Sequence, residues 1–374
     1  MSKNQAKEII NDLLLEAGIH INGDKPWDIK VHNEALYERV IKQGALGLGE
    51  SYMDGWWDVD KLNEFFFRAL KAGSDQKIKD NKLLLLKILF IRLSNLFNRS
   101  RALEVGRIHY DLGNDLYSNM LGEKLVYTCG YWKNAKNLDK AQEDKLRLTC
   151  EKLYLKPGMT LLDIGCGWGE LAKFAAKNYG VKVVGITISK EQCEFARKLC
   201  EGLPVEIRMQ DYRDVDQKFD RLVSLGMFEH VGYLNYRSYM QTAFNCLNDD
   251  GLFLLHTIGD NVSEISVNEW TEKYIFPNSM LPSIAQLGRS FENLFVMEDW
   301  HNFGTDYAKT LLAWHMNFND HWPELKERYD ERFYRMWNYY LLSSSGAFQA
   351  RYIQLWQIVL SKQGQRIDGY APIR

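Results

Sequence analysis

The sequence predicts an α/β fold, a seven-stranded sheet with helices on both faces, preceded by a smaller N-terminal α+β domain. Three observations carry this. Leu161-Leu-Asp-Ile-Gly-Cys-Gly-Trp-Gly-Glu170 reads as a buried strand entering a glycine-rich turn and then a helix. A second apolar strand, Val181 to Ile188, begins about 20 residues further on, the spacing of a βαβ unit. From Thr160 onward strands (160–164, 181–187, 205–209, 219–224, 251–258) alternate with helices near 168–179, 189–201 and 235–247. Two further strands are expected at Phe291–Met297 and Tyr352–Leu360, and the insert at 259–290 is expected to cover the substrate.

The remaining chain sets bounds. Its 374 residues suit two domains, divided as 1–98 and 99–374. A net charge of −2 gives no global attraction to nucleic acid, so a nucleic-acid partner is not expected. Cys129, Cys150, Cys166, Cys193, Cys200 and Cys246 contain no CxxC pair and no metal-ligand spacing, which fits reduced thiols and no metal. No apolar h-region opens the chain, and no apolar run nears the ~20 residues of a membrane span. A cytoplasmic protein is therefore expected.

In the N-terminal part, helices are expected at Ala6–Ala17, 34–43 and 60–71, with short strand pieces at Ile19–Ile21 and Ile29–Val31. Gly44, Gly47 and Gly49 read as a plain turn, because the lysine of a phosphate-binding loop is missing. Residues 71–107 carry nine lysines and arginines against Asp75, Asp80 and Glu104, a net +6. Within them, 82–98 reads as an imperfect amphipathic helix, with Leu85, Leu86, Leu89, Phe90, Leu93, Leu96 and Phe97 on one face. It reads either as a linker helix between domains or as a surface-lying lipid-binding helix with a cationic fringe.

Ligands of an open α/β sheet bind beyond the carboxyl ends of its strands. The first strand ends at Asp163, Gly165, Gly167 and Gly169; the second at Thr187 and Ser189, with Gln192 a turn later. The third ends at Asp211 and Tyr212, the fourth at Gly226 to His230, and the fifth at His256 to Ile258. The first turn lacks the GxGxxG spacing of a dinucleotide site, and its acid stands two positions before the first glycine. That form resembles motif I of class I methyltransferases, which bind S-adenosylmethionine on a Rossmann-like sheet whose last two strands form an antiparallel hairpin. Members usually place an acid at the end of strand two; here Thr187, Ser189 and Gln192 offer neutral groups for the ribose. Asp211 is expected to accept from the adenine amino group and Tyr212 to lie on the ring; a helix cap is the other reading of Asp211. A lone histidine in a buried strand is more often structural, but Glu229 and His256 converge from neighbouring strands, which favours function. Leu125 to Trp132, with Tyr127 and Thr128, reads as a lid over the methionine end of the cofactor. Cys129 lacks an adjacent base, which favours packing or donation over covalent catalysis.

Taken together, Tyr110-Asp-Leu-Gly-Asn-Asp115, Tyr127-Thr-Cys-Gly-Tyr-Trp132, Leu162-Asp-Ile-Gly-Cys-Gly-Trp-Gly169, Met227-Phe-Glu-His-Val-Gly232, His256-Thr-Ile258 and Phe333-Tyr-Arg-Met-Trp337 resemble the bacterial cyclopropane-fatty-acyl-phospholipid synthases and the related mycolic acid cyclopropane synthases. Residues 1–98, including Leu48 to Trp57, resemble the extra domain of the phospholipid-acting branch. The resemblance implies methylene transfer from S-adenosylmethionine to a cis double bond of an unsaturated phospholipid in a bilayer. It proceeds by methyl transfer, a carbocation on the acyl chain, and loss of a proton to close the ring; methylation without ring closure is the alternative. It also implies a bound bicarbonate held by Cys129, Glu229, His256, Ile258 and Tyr307, the backbone N–H of Ile258 among its donors. Tyr274, Phe276 and Trp314 are aromatic candidates for stabilising the passing positive charge. Peripheral association with the inner face of the cytoplasmic membrane is expected, and the oligomeric state, a homodimer among the options, is left open.

Overall fold

In the computed structural model the described residues are 3–73, 114–264, 268–363 and 369–374. They divide into two compact units. One falls within Met1–Met120, Ser266–Asn278 and Leu311–Tyr352; the other within Leu121–Ile265, Ser279–Thr310 and Ile353–Arg374. The helix expected at 82–98 and its basic flanks from 74 on lie outside the described residues.

The first unit is built on helices Lys3–Glu16, Ala35–Met53, Leu62–Lys71 and Glu331–Gln349, with a two-residue antiparallel ladder pairing Lys30–Val31 with Trp57–Asp58. Residues 44–49 are not a turn. The helix continues through them with a kink at Gly44 (φ 57°, ψ −131°). Gly49 is required by close approach, since a Cβ there would lie 2.3 Å from Trp270 Cδ1. Glu50, in the same stretch, accepts from Arg39 (2.7 Å), Lys273 (2.6 Å) and the Tyr274 hydroxyl (2.8 Å).

The second unit is the sheet. Helix α1 (Leu138–Lys152) precedes β1 (Thr160–Ile164), α2 (Glu170–Tyr179), β2 (Lys182–Thr187), α3 (Lys190–Leu199) and β3 (Val205–Met209). Then come β4 (Phe219–Leu225), α4 (Tyr236–Cys246), β5 (Leu247–Asp260), α5 (Ile284–Phe291), β6 (Phe295–Asn302), the start of α6 (Gly304–Leu325, which passes into the first unit after Thr310) and β7 (Ile353–Lys362). The strand order is β3-β2-β1-β4-β5-β7-β6. The first five strands are parallel, and β7 runs antiparallel to both β5 and β6. All five runs expected from 160 to 258 are strands of this sheet; β1, β2, β4 and β5 are largely buried, whereas β3, at the sheet edge, buries only Ile207. Two expectations are corrected. Phe291 ends α5, so β6 starts at Phe295, and β6 and β7 pair without being a hairpin, because the helices Gly304–Leu325 and Glu331–Gln349 intervene.

Candidate active site

The glycine turn closes β1 against β2. The N–H groups of Gly165 and Cys166 both donate to Ile186 O at 3.0 Å, which folds the turn back over the sheet. Gly165, Gly167 and Gly169 hold φ of +81°, +55° and +88°, the left-handed region that glycine enters without strain. Their surroundings differ. A Cβ on Gly165 would lie 2.9 Å from Met227 Cβ, whereas one on Gly167 would meet nothing within 4 Å among the described residues. The turn thus presents bare backbone at Gly167, beside the start of α2. Asp163 is buried, and its Oδ2 has no partner among the described residues. Burial raises its pKa and the nearby Lys145 ammonium opposes that.

At the end of β2, Thr187 Oγ1 donates to Gln192 Oε1 (3.1 Å), and Ser189 caps α3 by accepting from Gln192 N (3.4 Å). At the end of β3, Asp211 caps its own turn. It accepts from Arg213 N (2.9 Å), Nε (2.8 Å) and Nη2 (2.7 Å), which holds its carboxyl below the usual range. Tyr212 rests against Tyr239, ring centroids 5.0 Å apart.

The segment from Leu125 to Trp132 has no strand partner among the described residues and is clamped from two sides. From α1, Gln142 Nε2 donates to Thr128 O (2.8 Å), Lys145 Nζ to Thr128 Oγ1 (2.9 Å), and Ala141 O accepts from Tyr131 N (2.8 Å). From the first turns of α6, Thr310 Oγ1 accepts from Gly130 N (3.1 Å) and Trp132 Nε1 (2.9 Å), and Asp306 Oδ2 accepts from Trp132 N (2.8 Å). The clamp sets Thr128 over Gly226, where a Cβ would lie 2.7 Å from Thr128 Cγ2. Cys129 is fully buried inside it. Its thiol donates to Gly130 O at 3.1 Å, and burial, with Asp306 nearby, pushes its pKa well above the usual thiol value. Its environment disfavours the thiolate that a nucleophile needs.

Glu229 sits in the short turn after β4, buried, and Oε1 accepts from Ile258 N at 2.7 Å. That N–H is engaged by the carboxylate, so Ile258 orients Glu229. Oε2 is buried with no partner among the described residues. Burial pushes the Glu229 carboxyl up to about 7. His256 stands on β5, opposite Leu225 of β4 and Gln357 of β7. Its Nδ1 lies 3.3 Å from Gln357 Nε2, and its buried Nε2 has no partner among the described residues. Burial, then the fields of Lys145 and Lys152, keep the ring neutral. Tyr307 is buried on the first turn of α6, between Asp306 and Ala308. The sheet therefore brings Glu229, His256 and Ile258 to one end of β4 and β5, and α6 ties Cys129 to the turn that carries Tyr307. Tyr274, Phe276 and Trp314 belong to the first unit, where Tyr274 serves Glu50 and Phe276 packs on Tyr340.

Sequence reasoning missed α1. Gln142, Lys145, Thr149 and Lys152 lie on one helical face and are all fully buried. A polar stripe at helical spacing reads as a solvated face, and only the packed structure shows that it faces the lid and the sheet.

A sequence model of the family "Mycolic acid cyclopropane synthetase" matches residues 97–358. The cyclopropane-fatty-acyl-phospholipid synthase of Escherichia coli K12 is 54% identical over 354 residues, 95% of this chain and 93% of that one. A probable fatty acid methyltransferase of Pseudomonas putida is 38% identical over 268 residues, 68% of each chain. Among solved structures, a mycolic acid cyclopropane synthase complexed with SAH and CTAB matches with a TM-score of 0.64 and 30% identity, covering 70% of this chain and 98% of that one. With the sheet order and the glycine turn, these matches settle the kinship: the chain belongs to the mycolic acid cyclopropane synthetase family.

Proposed function

We propose that the protein is an S-adenosylmethionine-dependent cyclopropane-fatty-acyl-phospholipid synthase, adding a methylene group across a cis double bond of an unsaturated phospholipid acyl chain. The observation that carries this reading is the near full-length 54% identity to the Escherichia coli enzyme of that name. The residues present fit the methyl donor. Gly167 offers open space against bare backbone, Asp163 keeps a buried oxygen available, and Tyr127 and Thr128 lie in the clamped segment over Gly226. Bound S-adenosylmethionine supplies the carbon that becomes the ring methylene. Thr187, Ser189 and Gln192 sit at the strand end suited to its ribose, and Asp211 and Tyr212 at the one suited to its adenine.

Ring closure needs a base beside the new methyl group. Two buried atoms of opposite kind support this reading: His256 Nε2, a donor when the ring is neutral and Nδ1 accepts, and Glu229 Oε2, an acceptor when ionised. That pair suits a group that both accepts and donates, as bicarbonate does, and would repel a simple anion. Bicarbonate would supply the base. His256 and Tyr307 would donate to it, Glu229 would accept from its hydroxyl, Ile258 would orient Glu229, and Cys129 would pack the wall. Among the described residues no helix is long and apolar enough to cross a membrane. Access to bilayer lipid is read as peripheral, at the cytoplasmic face, with residues 1–98 as the lipid-facing domain and the basic stretch 71–107 as its contact.

The Pseudomonas putida relative favours a second reading, methyl addition without ring closure. Mass spectrometry of unsaturated phospholipid vesicles incubated with the protein and S-adenosylmethionine tests both. The expected result is a gain of one CH₂, NMR signals of a cyclopropane ring, and activity that falls in degassed buffer and returns with bicarbonate. A branched methyl product supports the second reading. No mass gain on any lipid overturns both.

A further inference from the structure

Strands β5 and β7 set His256 opposite Gln357 in the antiparallel register, and α1 packs Thr149 beside the same amide. Gln357 Nε2 lies 3.3 Å from Thr149 Oγ1 and 3.3 Å from His256 Nδ1. All three side chains are buried. The direction of each bond follows from the protons available. Thr149 gives its one hydroxyl proton to Lys145 O, a turn earlier in α1, at 2.8 Å. Towards Gln357 it can only accept. The amide therefore turns its NH₂ to this end, and that group has two protons to give. One goes to Thr149, the other to His256 Nδ1. A ring nitrogen that accepts carries no proton, so the neutral imidazole holds its proton on Nε2. Nε2 is left without a partner among the described residues, as is Gln357 Oε1 at the far side of the amide.

We propose that Thr149 and Gln357 are positioning residues that fix His256 as the Nε2–H tautomer and so make it an obligate hydrogen-bond donor at the deprotonation centre. The proposal rests on the reading of His256 as part of that centre. Neither residue touches a reacting atom; each acts through the next. The tautomer matters because the opposite form would put a lone pair where the proton stands, turning an attraction for an oxyanion into a repulsion. A buried ring in a strand has no solvent to re-establish the balance, so the choice falls to the partner on Nδ1.

The test is the tautomeric state of His256, read in the full-length protein labelled with ¹⁵N-histidine from its long-range ¹H–¹⁵N couplings. Its signal is assigned by its loss in His256→Ala. The wild type is expected to show Nε2–H. Gln357→Glu replaces the donor with an acceptor and is expected to move the proton to Nδ1. It should lower kcat by a factor on the order of 100, the scale of losing one aimed donor, with KM for S-adenosylmethionine little changed. Thr149→Val keeps the volume but frees the amide to rotate, so it is expected to give mixed tautomers and a smaller fall in kcat. Thr149→Ser should restore both. Wild-type His256 protonated on Nδ1, or Thr149→Val and Gln357→Glu that leave the Nε2–H form intact, would overturn the proposal. Full activity of His256→Ala alongside the expected tautomer shifts would instead remove the reading of the centre, a result the spectra alone cannot produce.

Discussion

Lys145 Nζ donates to Thr128 Oγ1 across 2.9 Å while the lysine side chain is wholly buried. An ammonium withdrawn from water is costly unless it is bonded and faces opposite charge. Here the Thr128 hydroxyl supplies the bond and Asp163 the opposing field, but burial outweighs them and lowers the Lys145 pKa to about 7 while raising that of Asp163 to about 7. Lys145 therefore links the Leu125–Trp132 segment to the acid that precedes the glycine turn. Lys145→Met should release Thr128 and leave Asp163 buried without its counter-charge. A hydrogen bond to a charged group contributes roughly 1.5–3 kcal/mol, so calorimetry should find S-adenosylmethionine bound about 10- to 100-fold more weakly. Unchanged affinity in a folded variant would show that the lid position does not depend on this lysine.

Gly165 and Gly167 should separate strain from ligand contact. At Gly165 an alanine Cβ collides with Met227 and the backbone is left-handed, so Gly165→Ala should lose both stability and cofactor binding. At Gly167 nothing among the described residues opposes a Cβ, and the left-handed backbone costs an alanine about 1–2 kcal/mol. Gly167→Ala should stay folded, with a small fall in Tm, and still bind S-adenosylmethionine poorly because the methyl group enters the open side of the turn. Tight binding by Gly167→Ala would mean that the ligand does not approach there.

The contrast shows what was legible in the residues. Four of the first five strands announced themselves because burial on both faces favours apolar runs, the edge strand Val205–Met209 by its alternation, and glycines at 165, 167 and 169 announced a turn that no other residue makes cheaply. Glu229 and His256 could be paired because the strand ends of such a sheet converge. The α1 stripe could not, since burial of Gln142, Lys145 and Thr149 is a property of packing partners some 15 to 200 residues away. Gly49 misled for the same reason: its space is set by Trp270.

All six cysteines are free and buried. Burial raises the pKa of Cys129 well above the usual value, of Cys200 and Cys246 to about 11, and of Cys150 and Cys166 as well. An aromatic disulfide reagent at pH 8 should therefore find almost no fast-reacting thiol in the native protein and six after denaturation. Cys129→Ser should leave this count at five and reduce activity only modestly, because a hydroxyl can also donate to Gly130 O. Rapid modification of Cys129 in the native state would contradict the closed clamp.

Glu229 should make stability fall as pH rises. Its carboxyl ionises near the ordinary 4.5 in the unfolded chain and at about 7 when folded, because burial outweighs the bond from Ile258 N. Between these values the folded state binds more protons, so stability declines with pH. Below about 4.5 the group is neutral in both states and costs nothing; above about 7 it is ionised in both, and the folded state bears the full penalty. A shift of this size corresponds to about 3 kcal/mol. Glu229→Gln keeps an acceptor for Ile258 N and cannot ionise. Denaturation in urea should find the variant and wild type close to equal near pH 4.5, with the variant ahead by up to that amount at pH 8. Titrations common to both proteins cancel in the difference. Bicarbonate should narrow the gap at pH 8, since it would stabilise the wild type through a partner for Oε2 and the variant less. A difference that stays constant from pH 4.5 to 8 would mean that Glu229 is already ionised at acid pH, and with it would go the argument that this carboxylate is kept poised near neutrality.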